Sequence, residues 1–119
     1  MRYQFTDVPW TMDGYQILAA RTIDRNLPER HVEAHALHGM VAELGEIHGI
    51  FQKRFQGHEM DDEHLKRELG DLLWFIAEFA TARHWLLSDV AETNIEKLRQ
   101  RYPEGFEAER SLHRRPDDD

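Results

Sequence analysis

A chain of 119 residues, 40% hydrophobic and 10% aromatic, is long enough to bury a core as one domain and too aromatic to be a disordered chain. Its 15 Lys and Arg against 23 Asp and Glu give a net charge of −8, which argues against general binding to a nucleic-acid backbone. With no Cys there is no disulfide framework, no thiolate zinc site and no Cys nucleophile. No apolar run approaches a membrane span, and the first ten residues hold no signal-peptide apolar segment, so a cytoplasmic protein without a membrane partner is expected.

Only short, weak alternation such as residues 2–8 hints at a strand, and the rest reads as all-α. The first helix is predicted from Met12 to about Arg25, capped by Thr11 or Asp13 and ended by Asn26-Leu27-Pro28. The second is predicted from Pro28-Glu29 to about Phe55, followed by Gly57. Its apolar positions Leu37, Met40, Val41, Leu44, Ile47 and Phe51 recur at three and four, as one stripe facing a core. The third starts after Asp61 or Asp62 and reaches about His84, with Leu65, Leu69, Leu72, Leu73, Ile76, Phe79 and Ala80 as its stripe. The fourth opens on Ser88 as N-cap and runs to about Arg101, with Ile95 and Leu98 inward. Four helices with short connections predict a four-helix-bundle-like single domain over residues 1–119, whose end from about residue 103 is a polar tail.

Two similar phrases lie on consecutive helices: Glu43-Leu44-Gly45-Glu46 and Glu68-Leu69-Gly70-Asp71. Carboxylates three residues apart fall about 60° apart on a helix, on one face. Helices joined by a short connection usually pack antiparallel, so the two pairs can face each other across a groove. Four converging carboxylates repel, and protons or a cation must neutralise them. Oxygen-only ligands suit Mg²⁺ or Mn²⁺ over Zn²⁺. Set against this, charges at such spacing are common on solvated helix faces.

The face through Glu46 also carries Gly39, Ala42 and Gly49, which leave room for a ligand or for close helix packing. Lys53 returns to the Glu46 face two turns on, and Asn94, Lys97 and Arg101 share one face of the fourth helix. A cationic stripe, an acidic cluster and a small-residue floor together suit a metal-bound polyphosphate. A zinc site from His31, His35 and His38 is a weaker reading, because His31-Val32-Glu33-Ala34-His35 is not the H-E-x-x-H pattern.

These residues resemble the MazG-like all-α nucleoside triphosphate pyrophosphohydrolases, whose signature is E-x-x-E, a spacer and E-x-x-D. Gly70-Asp71-Leu72-Leu73-Trp74 is similar to that family's G-D-v-l-W phrase. Asn94-Ile95-Glu96-Lys97-Leu98 and Arg101-Tyr102-Pro103-Glu104-Gly105-Phe106 resemble its N-i-x-K-L-x-x-R-Y-P-x-G-F ending. Tyr15-Gln16, Arg21-Thr22, Ser111 and Arg114 resemble one branch, so the resemblance spans roughly residues 13–114. Ala42 and Phe75 depart from it, standing where many relatives have Gly and Tyr.

The resemblance implies a MazG-type oligomeric fold and hydrolysis of a nucleoside triphosphate to monophosphate and pyrophosphate. Glu43, Glu46, Glu68 and Asp71 would be catalytic and hold Mg²⁺, or Mn²⁺, with Glu43 the favoured general base. Lys53, Asn94, Lys97, Arg101 and Tyr102 would bind the substrate. A homodimer or homotetramer is implied, with residues Tyr102 to Arg114 reaching across an interface. The alternatives are a narrow-specificity dUTP or dCTP diphosphatase and a non-catalytic metal-binding oligomerisation module. Trp10, Trp74 and Trp85 are candidate stacking groups for a base, although Trp74 is expected in the core or an interface.

Overall fold

The computed structural model describes residues 8–113. Residues 2–7 of the expected strand-like alternation lie outside these, as does Arg114. The described residues form helices α1 (Met12–Ala20), α2 (Glu29–Phe55), α3 (Asp62–Ala82), α4 (Leu87–Arg101) and α5 (Ala108–Leu112), with no strand among them. None of these helices is long and apolar enough to cross a membrane. The short α5 falls in the region expected to be tail.

Local chemistry accounts for the boundaries. Thr11 caps α1, its Oγ1 accepting from the Gly14 N–H at 3.0 Å. α1 ends at Ala20, about five residues before the predicted end. Thr22 Oγ1 donates to the Ala19 carbonyl and the Asn26 N–H donates to Asp24, so local side-chain bonds replace the helical ladder. Gly57, at φ +94°, closes α2. The Gly57 N–H donates to the Arg54 carbonyl and the His58 N–H to the Lys53 carbonyl, a six-to-one turn that needs a left-handed residue. Asp61 caps α3 by accepting from the Glu63 N–H. His84 takes the left-handed position at the other end of α3, at φ +60°, and its ring pairs with Glu29 of α2.

α4 starts differently from expectation. Leu86 occupies the cap position and has no side-chain acceptor, while Ser88 lies inside the first turn. The N–H groups left without helical partners are satisfied from α1 instead. The Leu87 N–H donates to Gln16 Oε1 at 2.7 Å, and the Ser88 N–H and hydroxyl donate to Asp13 at 2.9 and 2.7 Å. Gln16 Nε2 donates to the Trp85 carbonyl and to Thr81. Gln16 is thus a buried side chain with both ends satisfied, and it ties α1 to the α3–α4 corner. Losing it would strand the Leu87 N–H, at a cost of about 1–3 kcal/mol.

α2 and α3 form an antiparallel hairpin and the most extensive helix contact of the described residues. Its register is fixed by contacts along its length. Glu33 pairs with Arg83, His35 with Glu78, Gly39 faces Phe75, and Glu43 meets Glu68. α1 and α4 pack on α3. Trp74 takes the core role expected of it, donating its indole N–H to the Ala19 carbonyl and Thr22 Oγ1.

The core is small. Its buried apolar residues are Ala19, Val32, Ala36, Ala77, Ala80 and Leu87. The α2 stripe predicted to face it divides into two rows. Val32, Ala36, Met40, Ile47 and Ile50 turn inward and are buried or half-buried. Leu37, Val41, Leu44, Phe51 and Phe55 form a second row, continued at spacings of four and three through His48, and all five are exposed, Val41 at 72% and Phe55 at 92%. Leu69, Leu73, Ile95 and Leu98 are also exposed rather than inward. The expected single stripe was too broad for one packing partner: α3 covers only part of the arc.

Candidate functional site

The first carboxylate of each phrase sits in an otherwise apolar row. Glu43 continues the inward row of Met40, Ile47 and Ile50, and Glu68 lies at helical spacing with Leu65, Leu72, Phe75 and Phe79. Packing α2 on α3 therefore drives these two acids together and partly out of water. Carboxylate oxygens of Glu43, Glu68 and Asp71 come within 4.8 Å of one another, close enough to hold one metal ion. Glu46 is exposed and lies outside that triplet, but its charge still acts on Glu43.

The electrostatics follow from the crowding. The Glu43 carboxyl is pushed up to about 7, first by its hydrogen bond with Glu68, then by burial, then by the charges of Glu68, Asp71 and Glu46. Glu43 Oε2 is buried and has no hydrogen-bond donor among the described residues. An acceptor left in that state, beside two further carboxylates, fits a hard cation with oxygen ligands. His64 Nε2 stands 3.4 Å from Glu68, one turn away on α3. From α1, Tyr15 reaches the same region: its hydroxyl is raised by burial and then by the charge of Asp71.

Without metal, the raised Glu43 gives a pH signature. Folded Glu43 keeps its proton to about pH 7, and the unfolded residue loses it near its ordinary value of 4.5. Between those values the folded chain binds more protons, so this contribution to stability is complete below 4.5 and is lost as pH rises through 7. The melting temperature of wild type minus that of Glu43→Gln, measured in chelator, is therefore expected to fall between pH 5 and pH 8. A difference that rises over this range would contradict the crowding argument.

The remaining predicted residues are more dispersed. Lys53 lies on α2, in the row of His35, Gly39, Ala42, Glu46 and Gly49. Of the small residues in that helix, Gly39 is the one required by packing: a methyl group there would overlap the Phe75 ring, whereas Gly45 and Gly49 have open space. Asn94, Lys97 and Arg101 lie on α4 and Tyr102 at its end, and α4 packs on α1 and α3 rather than along α2. The charges that act on Glu43 are all carboxylates. The zinc reading is not supported, because His35 Nδ1 is engaged with Glu78 and the one metal-capable group among the described residues is the carboxylate triplet. Of the other tryptophans, Trp10 is exposed and meets Tyr15 edge-on, and Trp85 lies under the Arg83 guanidinium.

His64, the Tyr15 hydroxyl and Glu78 carry no motif that marks them as site residues, and His35 enters the sequence reading as a zinc candidate rather than as the partner of Glu78. A usable signal existed for one of them: Glu78 is two turns beyond Asp71 in an apolar stretch, Ile76-Ala77-Glu78-Phe79-Ala80, where an unpaired acid would be costly.

Comparison with known proteins identifies the family. Residues 30–106 match the model of the MazG nucleotide pyrophosphohydrolase domain, a stretch that contains all four carboxylates of the two phrases. The chain is 32% identical over 72 residues to the Gene 37 protein of Mycobacterium phage L5, covering 56% of this chain and 63% of that protein. The alignment thus spans less than two thirds of that relative's length. No solved structure matches the chain. The family match covers well over half of the sequence, and the chain belongs to the MazG nucleotide pyrophosphohydrolase family.

Proposed function

We propose that this single domain is a metal-dependent enzyme that hydrolyses (deoxy)nucleoside triphosphates to the monophosphate and pyrophosphate, acting in the cytoplasm in nucleotide-pool housecleaning. The observation that carries this reading is the Glu43–Glu68–Asp71 triplet, with a buried Glu43 oxygen that has no donor among the described residues, in a chain of this family. Glu43, Glu46, Glu68 and Asp71 would hold Mg²⁺, with Mn²⁺ the alternative, since their donors are all carboxylate oxygens. A bound ion of this kind screens phosphate charge and acidifies a water molecule.

The chain's own residues supply the rest. A water attacks a phosphorus of the bridge between the first and second phosphoryl groups, the new O–P bond forms and the bridging P–O bond breaks. The water's proton would pass to a carboxylate of the cluster, with Glu43, half-buried between α2 and α3, as the proposed general base. Lys53, in the Glu46 row, would hold phosphate oxygens. Asn94, Lys97, Arg101 and Tyr102 would complete the phosphate grip in a homodimer or homotetramer. Two features support an assembly. Among the described residues the buried apolar core is four alanines, a valine and a leucine, and an apolar row runs exposed along α2.

The test is turnover by the purified full chain with Mg²⁺ or Mn²⁺, across all NTPs and dNTPs, with pyrophosphate and orthophosphate detected separately. Monophosphate plus pyrophosphate is expected, and the rank order separates a broad enzyme from a dUTP or dCTP diphosphatase. Release of orthophosphate alone, or no turnover with any of them, would overturn the reading.

A further inference from the structure

The contact between α2 and α3 continues past the carboxylates. One turn from Glu43 and Asp71 comes Phe75, whose ring lies against Gly39 because that residue has no side chain. One turn further, His35 of α2 meets Glu78 of α3, with Nδ1 at 2.9 and 3.0 Å from the two carboxylate oxygens. The rings of His35 and Phe75 are 5.7 Å apart and tilted by 56°. At the helical rise, His35 lies about 12 Å along α2 from Glu43. Lys53 lies in the opposite direction, beyond Glu46. The row His35, Gly39, Ala42, Glu46, Gly49, Lys53 therefore runs from an aromatic pair, past the acidic cluster, to a cation.

The His35–Glu78 pair is built, not incidental. Glu78 is 1% exposed and is the largest fully buried side chain of the described residues. A buried carboxylate is costly unless its oxygens are satisfied, and His35 is the partner seen for both. The histidine itself is half exposed. With Nδ1 committed to Glu78, Nε2 is the ring's remaining polar atom, held at a fixed orientation beside an aromatic surface. An exposed imidazole with one oriented hydrogen-bonding atom, beside a half-buried phenyl ring, is suited to a flat heteroaromatic ring with polar edges.

We propose that His35, oriented by Glu78, is a specificity-determining residue that reads the nucleobase edge at the end of this α2 row opposite Lys53. This rests on the nucleotide site proposed above and adds to it the direction in which the nucleoside lies: phosphates towards Lys53, base over Phe75 and against His35. Glu78 is a positioning residue, acting through His35.

The experiment is calorimetric binding to the full chain with Mg²⁺, using α,β-methylene triphosphates of each base and, as a base-free probe, inorganic tripolyphosphate. His35→Ala is expected to weaken the preferred nucleotide analogue about tenfold, the size of one lost hydrogen bond, to flatten the ranking among bases, and to leave tripolyphosphate affinity unchanged. Glu78→Gln still accepts from Nδ1 and should retain most of the base ranking. Should His35→Ala fail to fold with Glu78 left unpaired, the double variant His35→Phe with Glu78→Leu replaces the pair by apolar groups, and the same selective loss is expected. Unchanged nucleotide affinity and ranking in a folded variant would overturn the proposal. So would equal weakening of tripolyphosphate, which would place His35 in general structure or at the phosphate end. Because binding is read without turnover, a wild type that binds nucleotides selectively but does not hydrolyse them would remove the catalytic reading and leave this one standing.

Discussion

Glu68→Gln is expected to reduce nucleotide turnover by about 10²- to 10³-fold, the scale of losing one group that stabilises charge in a transition state. The shape of the side chain is kept, and its amide can still bond to Glu43, so the helices should be undisturbed. What changes is the charge of the triplet. The wild-type cluster would bind a cation through three acids whose oxygens lie within 4.8 Å of one another, and neutralising one removes a ligand and part of the field together. Two readouts separate this from a folding defect. In chelator, the melting temperature of the variant should equal or exceed that of wild type, because repulsion has been relieved. On adding Mg²⁺, wild type should gain stability as a bound ligand requires, and the variant should gain much less. Wild-type turnover in Glu68→Gln, or an undiminished Mg²⁺-induced shift, would remove the metal-site interpretation.

Val41→Asp should act on assembly rather than on the single chain. Val41 is 72% exposed within one chain, where a polar substitution ordinarily changes stability by no more than about 0.5 kcal/mol. If the α2 row from Leu37 to Phe55 is covered by a second copy, the same change places an unpaired carboxylate in an apolar seam. That costs about 3–5 kcal/mol, or a rise in dissociation constant of at least a hundredfold. Sedimentation velocity at micromolar concentration is expected to show an oligomeric wild type and a Val41→Asp species of lower mass. A monomeric wild type, or a variant that assembles as wild type does, would show that this row is not the interface.

The main features of the helical hairpin were legible because the signals that make it are local. Thr11 and Asp61 are caps by residue type, Gly57 is a stop, and the paired phrases at 43–46 and 68–71 carry both the helix faces and the register. Features set by tertiary contact were not legible. Which half of the α2 apolar arc is covered depends on where α3 lies, so Leu37, Val41 and Leu44 read like Val32 and Ala36 until the partner is in place. Ser88 looked like a cap, but Asp13 and Gln16, more than seventy residues upstream, supply the acceptors. The partners His35 and Glu78 are separated by 43 positions and share no motif. In the site, the four acids could be named from spacing. That Glu43 rather than Glu46 lies inside the cluster follows from its place in the row of Met40 and Ile47, a distinction the periodicity contains but which needs the helix orientation to read.

The placement of Glu43 and Glu68 in apolar rows also bears on how such a chain can change over time. A leucine at either position would complete a hydrophobic row, remove a buried charge and add packing, so the substitutions that destroy the cluster are the ones folding stability favours. Random drift in this hairpin would run downhill towards an inert, better-packed bundle, through single amino-acid replacements. A lineage in which the bundle survives only as a scaffold should therefore lose these two acids early, whereas Glu46, exposed on the rim, could persist for longer without meaning. For recognising working members among such sequences, the inward acids are the informative positions.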